Sequence, residues 1–301
     1  MARGAGSDLV EVITDVFASR VIASAHVAGG QINEAYRYRL ESGTTVFVKT
    51  STAAPAGSFA AEADGLRWLG ETNTIRVPSV LAVRDGAELA HRFLALEWIE
   101  PGRPAPDHDE RFGRSLAALH RFGCARFGLD ADNWIAGIPQ ANGPPEPGAD
   151  THGIGWAEFY ARYRIEPVLR LAVDAGTLGP DHVARWASIE ARLEPLLGPP
   201  EPPARLHGDL WSGNALVDDG GGPVLVDPAV AGGHREVDLA MLRLFGGFAE
   251  RTFAAYDEVH PLAPGWAERV PLHQLYPLLV HVVLFGGSYR SQVTSVLDRY
   301  R

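Results

Sequence analysis

Lysine is almost missing from this 301-residue chain: of its 27 Lys and Arg residues only one, Lys49, is a lysine. Cysteine is equally scarce. Cys124 stands alone, which excludes an internal disulfide framework and any cysteine-built zinc site, and fits a reducing cytosol. Long apolar runs are missing too. The most apolar stretch, residues 278–285, contains His281 and is far short of the roughly 20 residues a membrane helix needs. The first 13 residues carry Asp8 and Glu11 and have no apolar core of signal-peptide length, so no membrane attachment is expected and the expected location is cytoplasmic. There is no basic excess: 37 acids against 27 cations give a net charge of −10, which argues against a nucleic-acid binder but leaves room for a small polyanion held by local cations. Low complexity is absent as well. With 46% hydrophobic and 21% charged residues the composition is that of a folded protein, and a prior of about 150 residues per domain suggests two.

The first hundred residues read as α+β. Helical spacing covers residues 9–18. Strands are predicted over 21–27, 35–40, 45–50, 80–83 and 93–99, with a helix over 59–69 between them. The run Glu100-Pro101-Gly102-Arg103-Pro104 then punctuates the chain and sets an expected boundary, with residues 1–99 as one lobe and 100–301 as the other. Beyond it the helical period dominates. Helices are predicted over 110–122, over 156–173 with a kink at Pro167, over 180–197, and from Val237 onward. Residues 206–227 break that pattern and read as a loop plus a hairpin turning at 218–222.

The sharpest local signal is His207-Gly208-Asp209-Leu210-Trp211-Ser212-Gly213-Asn214, followed by Val226-Asp227-Pro228. These residue types suit phosphoryl transfer, which asks a protein to position a hydroxyl and neutralise phosphate charge. Asp209 can accept the proton of an attacking hydroxyl. Asn214 and Asp227 offer the hard oxygen ligands that Mg²⁺ prefers. Lys49, alone in an apolar strand, suits a pair of phosphates, and Glu62 on the next helix can hold it in place. Gly29-Gly30-Gln31, between two strands, can cover phosphates with backbone amides, although it lacks the G-x-G-x-x-G spacing. Among the other histidines, His120 and His281 read as packing residues, and Asp238 as a buried loop-anchoring acid.

In this order, the Gly-Gly loop, Lys49, Glu62, the H-G-D-L-x-x-G-N block and V-D-P resemble the protein-kinase-like fold of aminoglycoside and choline kinases. Further blocks narrow the resemblance to the fructosamine (ketosamine) kinases: residues 30–35, Asp132-Asn133, residues 139–142, the run from His234 to Met241, and the two F-G-G stretches at Phe245 and Phe285. The resemblance implies a two-lobed α+β fold. The smaller lobe is an antiparallel sheet with one main helix and the larger lobe is mainly helical. It implies ATP-dependent phosphorylation of the sugar's third carbon in ketosamines, whether a small molecule or a glycated amine on a protein, after which the adduct breaks down. It makes Asp209 the base, Asn214 and Asp227 the Mg²⁺ ligands, Lys49 the ATP-phosphate contact and Glu62 its orienting partner. Glu97, Trp98 and Ile99 become the hinge that meets adenine, and Trp211 and His207 the candidates for contact with the acceptor. The competing expectations are an aminoglycoside- or choline-type kinase of the same fold, and a catalytically silent nucleotide-binding relative.

Overall fold

The structure, a computed structural model, describes residues 5–28, 33–86, 91–143 and 154–301. Helix α1 (Ala5–Phe17) leads into a five-stranded antiparallel sheet of β1 (Val21–His26), β2 (Glu34–Leu40), β3 (Thr45–Thr50), β4 (Val80–Arg84) and β5 (Phe93–Glu97). The strand order is β1-β2-β3-β5-β4, with α2 (Ser58–Gly70) inserted between β3 and β4. Side chains alternate across β3 because successive residues point to opposite faces. Val46 and Val48 pack with Leu9 and Ile13 of α1. Phe47 packs on the other face with Phe59, Ala63 and Leu66 of α2. The same alternation sends Lys49 to the α2 face, where a charged head must find a partner. The N-terminus of α2 has no local cap. Its Phe59 and Ala60 amides instead donate to Asp85 Oδ2 at 2.7 and 3.1 Å, a cap borrowed from beyond β4.

The rest of the chain is mainly helical: α3 (His108–Phe122), α4 (Trp156–Tyr160), α5 (Glu166–Asp174), α6 (Pro180–Glu190), α7 (Leu193–Leu196), α8 (Glu236–Leu244), α9 (Glu250–Val259), α10 (Trp266–His273), α11 (Leu275–Phe285) and α12 (Tyr289–Tyr300). Three short antiparallel pairs interrupt it: β6 (Asn133–Ile135) with β7 (Ile138–Gln140), β8 (Ala204–Leu206) with β11 (Ala231–Gly233), and β9 (Ala215–Val217) with β10 (Pro223–Leu225). One core joins the two parts, since Leu69 and Ile75 pack with Phe112, Leu116, Leu210, Leu225 and Tyr256.

Several expected elements change. The helix expected over 156–173 is not one α-helix, because Ala161–Ile165 is a π-helical turn between α4 and α5. Pro167 follows the π-turn directly in one continuous helical run, and the carbonyl four residues before it, that of Tyr163, lies inside that turn, so the irregularity expected from the proline falls in the turn preceding it. The helix expected over 180–197 breaks after Glu190 into α6 and α7. Strand β5 ends at Glu97, not at Ile99. The pairs β6–β7 and β8–β11 were not anticipated, since three-residue strands carry too little periodicity to read. His281, expected in the core, is only partly buried.

Candidate functional site

Strand β3 and α2 bring Lys49 and Glu62 together. Lys49 is 9% exposed, and its Nζ donates to Glu62 Oε1 and Oε2 at 3.0 and 2.9 Å. A third bond, also 2.9 Å, runs to Asp227 Oδ1, 178 residues further along the chain. Burial works against the ammonium charge, but the carboxylates of Asp227 and Glu62 outweigh it and hold Lys49 above its ordinary range. Glu62 shows the other side of the same crowding: burial, then the charge of Asp227, push its carboxyl up to about 7 despite Lys49. Asp227 is held below its ordinary range, because the charge and hydrogen bond of Lys49 overcome burial. Asp227 also has φ +53, a left-handed backbone that is sterically uphill for a residue with a Cβ and is sustained only by its surroundings.

The loop after β8 supplies a third carboxylate, that of Asp209. His207 is fully buried; its Nε2 lies 2.9 Å from the Val226 carbonyl, and the Asp209 amide donates to its Nδ1 at 3.3 Å. Burial holds the imidazole below its ordinary pKa. Gly208 has φ +83, and a Cβ there would lie 2.0 Å from the Ala229 carbonyl oxygen, so only glycine fits. Asp238, at the start of α8, accepts the His207 and Gly208 amides at 2.8 and 2.9 Å and is wholly buried. Behind it His120 Nε2 lies 3.2 Å away, and His120 Nδ1 is 2.8 Å from the Tyr256 hydroxyl. His120 is thus the hydrogen-bonded packing histidine expected, and Asp238 the loop anchor.

Asn214 donates from Nδ2 to the Asp209 carbonyl at 2.9 Å and to Asp209 Oδ2 at 3.1 Å. The amide oxygen of Asn214 is thereby turned away from Asp209. Burial, then the charge of Asp227, push the Asp209 carboxyl up to about 7, with Asn214 opposing. Two amide-rich blocks noted in the sequence brace the backbone that follows Asp227. Asn133 Nδ2 donates to the Val230 carbonyl at 2.8 Å, and Gln140 Nε2 donates to Asn133 Oδ1 and the Ala229 carbonyl at 2.8 and 3.1 Å.

The structure therefore gathers Lys49, Glu62, Asp209, Asn214 and Asp227 in one place. The donor set of an Asn amide oxygen and an Asp carboxylate, both hard oxygens, fits a magnesium ion. Trp211 lies at the same loop, 38% exposed, with its ring 6.0 Å edge-on from Phe245. Glu97 accepts from Arg76 Nη2 at 2.6 Å and from the Ser79 amide at 3.1 Å; Trp98 donates to Glu100 Oε2 at 2.8 Å; Ile99 is buried. Gly29, Gly30 and Gln31 lie outside the described residues. Sequence reasoning did not anticipate the remote cap from Asp85 or the amide brace of Asn133 and Gln140. The only signal for the second was their presence in the blocks that resemble a family.

The fold that carries this constellation is a protein-kinase-like phosphotransferase fold. A macrolide 2'-phosphotransferase of Brachybacterium faecium superposes with a TM-score of 0.61 over 97% of this chain and 98% of that one, at only 15% identity. The fructosamine kinase family model matches residues 8–301, and the chain belongs to that family. A crystal structure from Thermobifida fusca described as a "putative fructosamine-3-kinase" is similar at 44% identity and TM-score 0.85, over 96% of this chain and 97% of that one. A Synechocystis protein described as "Probable ketoamine kinase" is 40% identical over 282 residues, covering 93% of this chain and 90% of its relative.

Proposed function

We propose that this protein transfers the terminal phosphoryl group of ATP to a sugar hydroxyl of a ketosamine, with residues 1–99 as the nucleotide-binding lobe and 100–301 carrying the catalytic loop and acceptor site, and that it works in the cytoplasm. The observation that supports this reading is the 2.9 Å contact between Lys49 and Asp227, since a cation suited to phosphates and a carboxylate suited to a metal then share one spot, with Asp227 near enough for its charge to act on Asp209. The relatives' names supply the acceptor class.

In this reading Asp209 takes the proton of the acceptor hydroxyl. Its raised pKa makes it a better base than an ordinary aspartate near neutral pH. Asn214 keeps the Asp209 carboxylate aimed, and its amide oxygen together with Asp227 would hold Mg²⁺, which when bound would offset the charge of the phosphates. Lys49, oriented by Glu62, meets the ATP phosphates, and the segment Glu97, Trp98 and Ile99 faces the adenine with its backbone. Gly29, Gly30 and Gln31 are the further candidates for phosphate contact, on the sequence alone. Trp211 offers a face on which the sugar can lie. His207, fully buried, holds the loop and does not reach the acceptor.

The test is a coupled assay of ADP formation with MgATP and a panel of ribulosamine, fructosamine, aminoglycoside and choline acceptors. Turnover confined to the first two is the expected result. Turnover only with choline or an aminoglycoside, or none with any acceptor, overturns the reading.

A further inference from the structure

Helix α2 carries Glu62, and its last turn is fastened by a residue from the other part of the molecule, Arg205 of β8. The carbonyls of Arg67, Leu69 and Gly70 accept from the Glu71, Thr72 and Asn73 amides at 3.0, 3.2 and 3.1 Å as the chain leaves the helix. The Trp68 carbonyl accepts instead from Arg205 Nη1. The same nitrogen reaches Glu71 Oε2 at 3.2 Å, and Arg205 Nε donates to the Gly123 carbonyl, just past α3, at 3.2 Å. Arg205 Cζ lies 4.5 Å from the ring centre of Trp68 and 4.6 Å from that of Phe122. A guanidinium suits this place because it donates within its plane while its faces meet rings. A cation at a helix C-terminus is further favoured by the carbonyls that end there.

The middle of α2 is seated as closely. A Cβ on Gly65 would stand 3.0 Å from Val230 Cγ2 and 3.6 Å from Pro228 Cγ, so the helix lies directly on the run that follows Asp227. Glu62 is about one turn before Gly65, and Trp68 about one turn after it. The Asp85 cap holds the start of the same helix. The tie to Arg205 is the one that joins α2 to the strand leading into the loop 207–214, because Arg205 stands two residues before His207 and four before Asp209.

We infer that Arg205 is a positioning residue for phosphoryl transfer: it fixes the end of α2 so that Glu62 holds Lys49 toward the nucleotide while Asp209 faces the acceptor. The inference rests on the reading of Lys49 and Glu62 given above. Arg205 touches neither substrate nor metal in that reading and acts through Glu62. The physical reason lies in how Lys49 is shared. Its ammonium bonds Glu62 and Asp227 at nearly equal distances. If the last turn of α2 loses its hydrogen bond, its ion pair and its ring contacts, Glu62 competes less well, and Lys49 settles on Asp227. A cation meant for phosphates then blocks a carboxylate meant for the metal.

The experiment is a double-mutant cycle read as kcat/KM for MgATP, by ADP formation at saturating ribulosamine, in the parent, Arg205→Ala, Glu62→Gln and the double variant. Arg205→Ala is expected to lower kcat/KM for MgATP about tenfold and to leave KM for the ribulosamine unchanged. In the Glu62→Gln background the same change is expected to lower it less than about twofold, since the group Arg205 acts through is already disabled. Phe122, 54% exposed, supplies a milder variant should Arg205→Ala fold poorly. Phe122→Ala is expected to lower kcat/KM for MgATP about threefold, again only where Glu62 is intact. Equal losses in both backgrounds, or less active protein with an unchanged kcat/KM per folded molecule by circular dichroism, overturn the inference and leave Arg205 as a fastening of the fold alone. A parent that turns over no ribulosamine, or a Glu62→Gln variant with the parent's kcat/KM for MgATP, shows instead that the reading of the site has failed, and the inference falls with it.

Discussion

Asp209 carries the largest local conflict between function and stability. Burial and the neighbouring Asp227 raise its carboxyl from the ordinary 3.8 to about 7. The folded protein therefore holds that proton more tightly than the unfolded chain does. The stability this contributes is fully present below the unfolded value and is lost as pH rises through the folded one. Asp209→Asn removes the ionisation altogether while keeping an oxygen to face Asn214. The variant should lose at least about a hundredfold in kcat, the low end for a general base. Measured by thermal denaturation, its Tm relative to the parent should climb between about pH 4 and pH 7. In the parent, kcat/KM for the acceptor should rise with pH through about 7, as the base gives up its proton. A Tm difference that stays flat with pH, or a rate limb near the ordinary aspartate value, would show that burial does not set this group.

At the scale of elements, the loop 207–214 is held from behind. Asp238 opens α8 with its side chain turned into the protein, accepting two loop amides and facing His120, and its carboxyl is held below the ordinary range because the hydrogen bond and charge of His120 outweigh burial. Asp238→Ala strips three donors of their acceptor at once. It is expected to destabilise the fold by about 3–5 kcal/mol in urea denaturation and to lower kcat in the fraction that stays folded. A variant as stable as the parent would refute the anchoring role. The strands and α2 were legible in the sequence because alternation and the 3.6-residue period are strong over six or more residues. Even the placing of Glu62 could be argued from its phase beside Phe59 and Leu66. The π-turn at 161–165 and the break after Glu190 were not legible. Periodicity continues across both, so the 3.6-residue period by itself does not say where the ladder of hydrogen bonds slips. The pairs β6–β7 and β8–β11 owe their existence to the backbone around Val230 that they cover, not to local propensity.

At the scale of the whole molecule, the sheet and the helical part meet through one ammonium, a shared core and Arg76, which reaches both Glu97 of β5 and Asp218 at the hairpin turn. A ligand that engages Lys49 and Asp227 together therefore bridges the two parts. MgATP at 100 times its dissociation constant should stabilise the parent by about 2.7 kcal/mol. Calorimetry should show that shift shrinking with EDTA and being largely lost in Lys49→Ala. That variant should also start less stable, because Glu62 and Asp227 are left facing each other without their cation; a full shift in Lys49→Ala would exclude Lys49 from nucleotide binding. Among the described residues no helix is long and apolar enough to cross a membrane, as the scarcity of long apolar runs implied. What the sequence determined by itself was the inventory: one lysine, one H-G-D-x-x-x-x-N loop, one V-D-P run and the strand and helix periods that carry them, since residue chemistry and local periodicity are written in adjacent positions. What only the tertiary structure decided was the convergence. Lys49 and Asp227 meet across 178 residues of chain, and Asp209 draws its altered acidity from burial and from Asp227, neither of which is a property of neighbouring residues. Burial and through-space charge exist only once the chain has folded back on itself.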